Sequence, residues 1–503
     1  MTDTDVTETI QLAPDGGLVK SLGAHHTLES ALADLVDNAI DADAGKVLVR
    51  LLTQNSRLAR VEVLDDGAGM DQGDATKAMT IGHRRDYVTS DLGHFGMGLK
   101  AASFAHADIL TVWSQRDGME PVGRRIVRAD FSHDFSCEVL STDRAAFASE
   151  ARSMHTGMTS GTSVVWTGIR HGYRGTSKMA AVEWLDDQES KIRIHLGVVF
   201  HRLIASGLLQ IHISVDEIDS SGNSLAVPVS AIDPFGYPMS GHPDYPKTLV
   251  ASVGDQKISM TAHVWPAKKD ITGFRIGDRN GEKLQGFFIY RNDRLLHAGS
   301  WADTAVPARE RQLARVVLDD PEAIRGFVTM NSEKQGVRFQ HAFHEAVSRA
   351  VSDDGTGFEE FLADAEQTYT TANKRRVAHR KPAITPGRGF APKLRKTFES
   401  ELPLIQGEEM HLRWKNLPED DFIDIDFPER VLYLNARYRA LFAPARSSLN
   451  DAPVVKALLY LLTHEIYEGQ ILGARDKDQI ELWKVMLGAA VMEEAKMREV
   501  RQS

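Results

Sequence analysis

Three stretches in the first hundred residues carry side chains suited to chemistry on a charged ligand. The first is TLESALADLVDNAIDADA, residues 27–44. At 3.6 residues per turn Asp34, Asn38 and Asp41 fall in one row beside an apolar stripe of Leu28, Ala31, Leu32, Leu35, Val36 and Ala39. Short carboxylates and an amide, without the Lys and Glu that fill a solvated face, suit a site that holds a cation or a water. Ordinary surface helices carry Asp and Asn as well, so the row alone does not separate the two. The second stretch is Asp65-Asp66-Gly67-Ala68-Gly69-Met70. Its spaced glycines allow a tight turn and close backbone approach by a ligand, and Asp65 stands where a buried acceptor can be aimed. A plain turn accounts for the glycines equally well. The third is Gly93-His94-Phe95-Gly96-Met97-Gly98-Leu99-Lys100. Glycines opening a helix offer bare amides and a positive helix end to phosphates, and Lys100 adds a point charge. No β-run precedes this loop and no GK[ST] occurs, so it is neither a dinucleotide fingerprint nor a Walker loop.

These residues need elements to hold them. A polar arm runs to about Gly17, the helix follows, and KVLVRLL (46–52) and ARVEVL (59–64) read as strands around a short polar turn. Asp65 therefore ends a strand. Further on, Ser160-Gly161-Thr162 introduces the β-branched run SVVW, which in isolation is a core strand. Residues 182–205 have helical periodicity and lead into LLQIHISVDEI; then come TLVASVG, KISMTAHVWP, GFFIYRNDRLLHAG with Asn292-Asp293 as its turn, and ARVVLDD. A strand over 325–330 and a helix over 340–351 close this unit.

The four boxes in this order resemble the ATP-binding domain of the GHKL superfamily, which includes gyrase B, the ninety-kilodalton heat-shock chaperone, histidine kinases and MutL. The resemblance covers roughly residues 20–170, and AIDADA, GHFGMGLK and YRNDRLL look most like MORC-type members. It implies an α+β chain with an N-terminal arm (1–20), a GHKL (Bergerat) α/β sandwich (21–178) and a ribosomal-S5-like transducer domain (179–352); composition and periodicity add a basic linker (353–400) and a small C-terminal α/β or helical module (401–503). It also implies roles. Asn38 would hold the magnesium that bridges the phosphates of ATP, and Asp65 would accept the adenine amino group with support from Thr162. Gly67, Gly69 and Met70 would line the adenine side; Gly93, Phe95, Gly96, Gly98 and Lys100 would form the lid. Asp34 stands where hydrolysing members carry a glutamate that activates water, and it is one methylene shorter. A base must come within about 2.6–3.2 Å of its proton or act through a further water, so binding is the firmer expectation and slow hydrolysis with Asp34 as base the finer one. Asp37 is a second carboxylate beside Asn38, about 100° away in helical phase. Transducers of this kind reach back to the γ-phosphate with a loop base, here Lys334 beside Gln335.

Composition bounds the rest. The 503 residues are 42% hydrophobic, ordinary for folded chains of about three domains. The acidic start MTDTDVTETI lacks the pattern of a signal peptide and no run approaches the ~18 apolar residues of a membrane span; the chain is expected in the cytoplasm. One cysteine, Cys137, excludes a disulfide framework and is expected as a small buried hydrophobe. Lys plus Arg of 59 against Asp plus Glu of 70 leaves a net charge of -11, which does not argue for nucleic acid. Locally the balance reverses: residues 370–397 hold nine Lys or Arg, no acid, three Pro and two Gly. That run reads as an extended linker that either tethers domains or, over 374–396, binds DNA phosphates. His464-Glu465 and Glu468 lack the second histidine of a zinc helix, and the Leu and Met rows of the last two helices suit a core, a subunit interface or a protein partner. Together these readings point to an ATP- and magnesium-dependent switch that dimerises and clamps a client. A nucleotide-gated scaffold with negligible hydrolysis is the alternative; a histidine kinase is disfavoured by the transducer-like strands.

Overall fold

The computed structural model describes residues 26–80, 98–218, 225–254, 256–268, 270–330, 337–443, 448–468 and 472–502. Two compact units, Met1–Tyr369 and Thr370–Ser503, divide the chain. The first opens on α1 (Leu28–Ile40), capped by the Thr27 hydroxyl, which accepts from the Ser30 amide. Its stripe of Ala31, Leu32, Leu35, Val36 and Ala39 is buried as the periodicity predicts, and Ala33, Asp34 and Asp37 are buried too, so most of the helix surface is enclosed. β1 (Lys46–Gln54) and β2 (Arg57–Asp65) follow as a hairpin. Asn55 and Ser56, both at positive φ, form its two-residue turn, the twist-compatible geometry for a hairpin. After α2 (Gln72–Met79) and α3 (Gly98–His106) come β3 (Ala107–Gln115), β4 (Val122–Val127), α4 (Arg128–Asp134), β5 (Glu138–Val139), α5 (Thr142–Thr156), β6 (Gly161–Ile169), α6 (Lys178–Val199), α7 (His201–Ala205), β7 (Gln210–Glu217) and β8 (Val227–Pro228). The sheet order is β5-β4-β3-β6-β2-β1-β7-β8, with β1 and β7 parallel and every other pair antiparallel. α1 packs against α3 and α6, and together they cover one core with Val49, Leu51, Val61, Val63, Val164 and Trp166 of the sheet.

A second sheet in the same unit, ordered β12-β11-β13-β10-β9, consists of β9 (Lys247–Val253), β10 (Gln256–Val264), β11 (Gly286–Arg291), β12 (Arg294–Ala298) and β13 (Ala314–Leu318). All four runs read as strands in the sequence are strands, and Asn292 and Asp293 turn between β11 and β12 at φ 48° and 61°. The expected strand over 325–330 is corrected in its first half: α8 (Pro321–Phe327) takes 325–327, with Asp320 as cap and proline in the first turn, and β14 (Val328–Met330) takes the second half and pairs with β15 (Val337–Phe339). α9 (His341–Arg349) ends this region. A small cluster joins Val198 of α6 to Phe288, Tyr290, Leu295 and Val317, so α6 is shared by the two sheets.

α10 (Phe358–Ala378) spans the division; Phe358, Phe361, Leu362, Ala365 and Tyr369 belong to the second core of the first unit. The second unit then holds β16 (Ala383–Pro386), α11 (Pro392–Glu401), β17 (Leu404–Lys415), β18 (Ile423–Asp426), β19 (Val431–Asn435), α12 (Arg439–Phe442), α13 (Pro453–Thr463) and α14 (Ala474–Gln502), with sheet order β16-β17-β19-β18. The extended basic linker is therefore corrected. Residues 370–397 contribute a helix end, a strand and most of α11, because β16 finds a parallel partner in β17 and Ala383, Ile384 and Phe390 enter a core. Cys137 is also corrected: it is exposed beside the two-residue edge strand β5. His464 to Glu468 form a 3-10 turn. Among the described residues no helix is long and apolar enough to cross a membrane.

Candidate functional site

The site forms where the end of α1, the turn after β2 and the start of β6 meet. The pairing of Leu64 with Ser163 brings the end of β2 beside the start of β6. There Asp65 Oδ1 accepts from the amides of Gly67 and Thr162, each at 3.0 Å. Its second carboxylate oxygen has no protein partner among the described residues. Burial pushes the Asp65 carboxyl up to about 6, against the pull of those two amides and of the Arg152 charge. Asp66 accepts from the amides of Gly45 and Lys46 at 2.9 and 2.8 Å, and the Ala68 amide donates to Ala42 O at 2.8 Å. The turn is thereby tied to the segment that follows the helix carrying Asn38. Glycine is required in it: a Cβ on Gly69, at φ +68°, would lie 1.9 Å from Gln115 O.

Thr162, Met70 and Gly161 converge on one hydroxyl that the sequence reading missed. Ser114 shares a hydrogen bond with the Thr162 hydroxyl at 2.8 Å, accepts from the Met70 amide at 2.9 Å and donates to Gly161 O at 3.2 Å. Its only sequence signal is phase: with Leu110 and Val112 it lies on the buried side of β3. Arg152 was missed as well. It is buried on α5, donates to Thr159 O at 2.6 Å, to Ser149 Oγ at 2.9 Å and to Ser160 O, and braces the entry to β6. Burial lowers its basicity while the charges of Asp65 and Asp66 oppose the loss.

Along α1 the polar row splits by environment. Asn38 is exposed and Asp41 half-buried, while Asp34 is 4% exposed and Asp37 0%. Asp37 faces away from Asn38, as its helical phase requires, and Arg294 of β12 donates its Nε to it at 2.6 Å. Arg294 Nη2 also lies 3.8 Å from Asp34 Oδ1, and His26 Nε2 lies 3.9 Å from Asp34 Oδ2. The exposed amide oxygen of Asn38 fits a hard cation that takes its other ligands from phosphate and water. Among the described residues no cluster of three His, Cys, Asp or Glu could hold a metal by itself.

Lys100 differs from expectation. It is 2% exposed, with Nζ donating to Ala78 O and Thr80 O at 2.7 and 2.9 Å. Its charge caps α2, whose last carbonyls have no partner in the helix. Gly98 opens α3 with open space where a Cβ would stand. Gly93, Phe95 and Gly96 of the lid, and Lys334 with Gln335, lie outside the described residues. A cavity of about 480 Å³ lined by His26, Glu29, His106, Trp166, Trp184 and Lys191 sits at the other end of α1; none of Asn38, Asp65 and Thr162 lines it.

Comparison with known proteins defines the class. Residues 26–151 match the family of histidine kinase-, DNA gyrase B-, and HSP90-like ATPases. Over that stretch the chain is similar to GHKL ATPase domains, and the likeness is to the MORC type. It is 38% identical over 90 residues to ATPase morc-1 of Caenorhabditis elegans, covering 18% of this chain and 10% of that protein. It is 39% identical over 83 residues to ATPase MORC2 of Homo sapiens and to ATPase MORC2A of Mus musculus, covering 16% of this chain and 8% of each. The matched stretch thus spans a tenth or less of the relatives' length.

Proposed function

We propose that this protein is a magnesium-dependent ATP-binding switch that hydrolyses ATP slowly, with the first sheet as nucleotide domain and the second as an S5-like transducer. The observation that carries the reading is the Asp65 carboxylate, one oxygen saturated by Gly67 and Thr162 and the other open to an amino donor such as that of adenine. Asn38 would hold magnesium, which when bound neutralises phosphate charge. Gly93, Phe95, Gly96 and Gly98 would wrap the phosphates, and Lys334 would meet the γ-phosphate, a charge-stabilising role general to phosphoryl transfer. Asp34 is the base of this reading. Calorimetry with ATP, ADP and a non-hydrolysable analogue, each with and without magnesium, tests it; absence of binding by the full chain in every case refutes it.

ATP would drive dimerisation of the nucleotide domains, with the arm before Gly17 crossing to the second subunit and hydrolysis releasing it. Sedimentation in the three nucleotide states tests this, and a nucleotide-independent mass refutes the cycle while leaving binding intact. DNA is the client this reading favours. Lys374, Arg375, Arg388, Lys393 and Lys396 are exposed, whereas Arg376 and Arg380 pair with Glu401 at 2.7 and 3.3 Å. Affinity for DNA should fall steeply with salt. An interaction scaffold is the second reading, favoured by Val454, Leu458 and Leu461 on α13 and Leu482, Val485 and Met486 on α14, all exposed. Absence of DNA binding at any salt selects it.

A further inference from the structure

The reading above leaves a buried cation unexplained. Arg294 is 5% exposed, stands first in β12 directly after the Asn292-Asp293 turn, and meets both acidic residues of α1 that water does not reach. Placing a guanidinium in an enclosed space is expensive unless carboxylates face it. Here two do, at successive turns of the helix that carries Asn38. The hairpin that presents Arg294 is itself held. Tyr290 shares a hydrogen bond with His201 at 2.9 Å, and Arg202 lies 3.4 Å from Asp293. His195, half-buried and driven down to about 4 chiefly by desolvation, stands near the same group and stays neutral around pH 7.

Asp34 needs such an anchor more than a glutamate would. With one carbon fewer, its carboxylate has less reach of its own, so where it points is set by where the α1 backbone sits. Arg294 fixes that backbone one turn further on, through Asp37, and faces Asp34 Oδ1 directly. We infer that Arg294 is a positioning residue through which the second sheet sets the reach of Asp34. Movement of the β11–β12 hairpin relative to α1 would then change hydrolysis without changing the adenine contacts at Asp65. This rests on the ATPase reading of the site.

The test uses the full chain with Arg294→Met and Asp37→Leu combined, so that the fully buried Asp37 is not left as an unpaired ion. Affinity for magnesium and a non-hydrolysable ATP analogue should stay within about threefold of wild type while single-turnover hydrolysis falls by about tenfold or more, the separation that marks loss of positioning rather than of binding. Arg294→Lys should recover part of the rate, since an ammonium reaches one carboxylate but not two in a fork. An unchanged rate in the double variant, or affinity and rate falling in parallel, overturns the inference. A wild type that hydrolyses no ATP overturns the ATPase reading and this inference with it; a wild type that hydrolyses beside an equally active double variant overturns the inference alone.

Discussion

Arg294 Nε donates to Asp37 Oδ1 at 2.6 Å, joining residues 257 apart in the chain. Because Asp37 is fully buried, removing only the cation strands a charge. Arg294→Met alone should cost about 3–5 kcal/mol, and adding Asp37→Leu should return most of it. Urea unfolding midpoints of the two variants check this; equal losses in both would show that packing, not charge pairing, holds the hairpin to α1.

Asn38→Ala should abolish binding of magnesium nucleotide, since it removes the exposed amide oxygen of α1. Asp34→Ala should keep binding and stop hydrolysis. Phosphate release and equilibrium binding measured side by side separate the two variants. Phosphate release at the wild-type rate from Asp34→Ala rules Asp34 out as base.

Asp65 gives a pH signature. Its folded carboxyl lies at about 6 against 3.8 for a free side chain. A raised carboxyl favours folding below the free value, and that advantage is lost as pH climbs through about 6. Relative to Asp65→Asn, the wild type should lose up to about 3 kcal/mol of stability between pH 4 and pH 7. Nucleotide affinity should move the opposite way. Below pH 6 the open oxygen carries a proton and meets the adenine amino group donor to donor, so binding weakens on acidification. Parallel stability curves for wild type and Asp65→Asn, or affinity flat from pH 5 to 7.5, would contradict the assignment.

Gly161 tests the junction of β2 and β6. At φ +126° its Cβ would stand 2.2 Å from Asp65 O, so Gly161→Ala should cost about 3 kcal/mol or more. It should also displace the Thr162 amide from Asp65. Gly45→Ala, with nothing within 4 Å of its Cβ, should be tolerated and gain about 0.4–1 kcal/mol. Thermal unfolding of the pair decides whether close approach, rather than glycine content, shapes the site.

What the sequence determined by itself was local. Period-2 runs became strands, Asn55-Ser56 and Asn292-Asp293 became hairpin turns, and the stripe on α1 became its buried face. Asp65, Gly67, Met70 and Thr162 are grouped by the family resemblance that their motifs carry, and the fold gathers them within hydrogen-bond reach of one another or of Ser114. Tertiary structure decided the rest, because burial and partnership depend on residues far away in the chain. No periodicity links Arg294 to Asp37. Nothing near Lys100 announces the carbonyls of Ala78 and Thr80, and the basic run of 370–397 shows its composition but not the partner strand β17 that folds it. The row of Asp34, Asn38 and Asp41 is uniform in sequence. Only enclosure by Arg294 and His26 on one side and exposure on the other makes Asp34 a buried carboxylate and Asn38 an exposed amide.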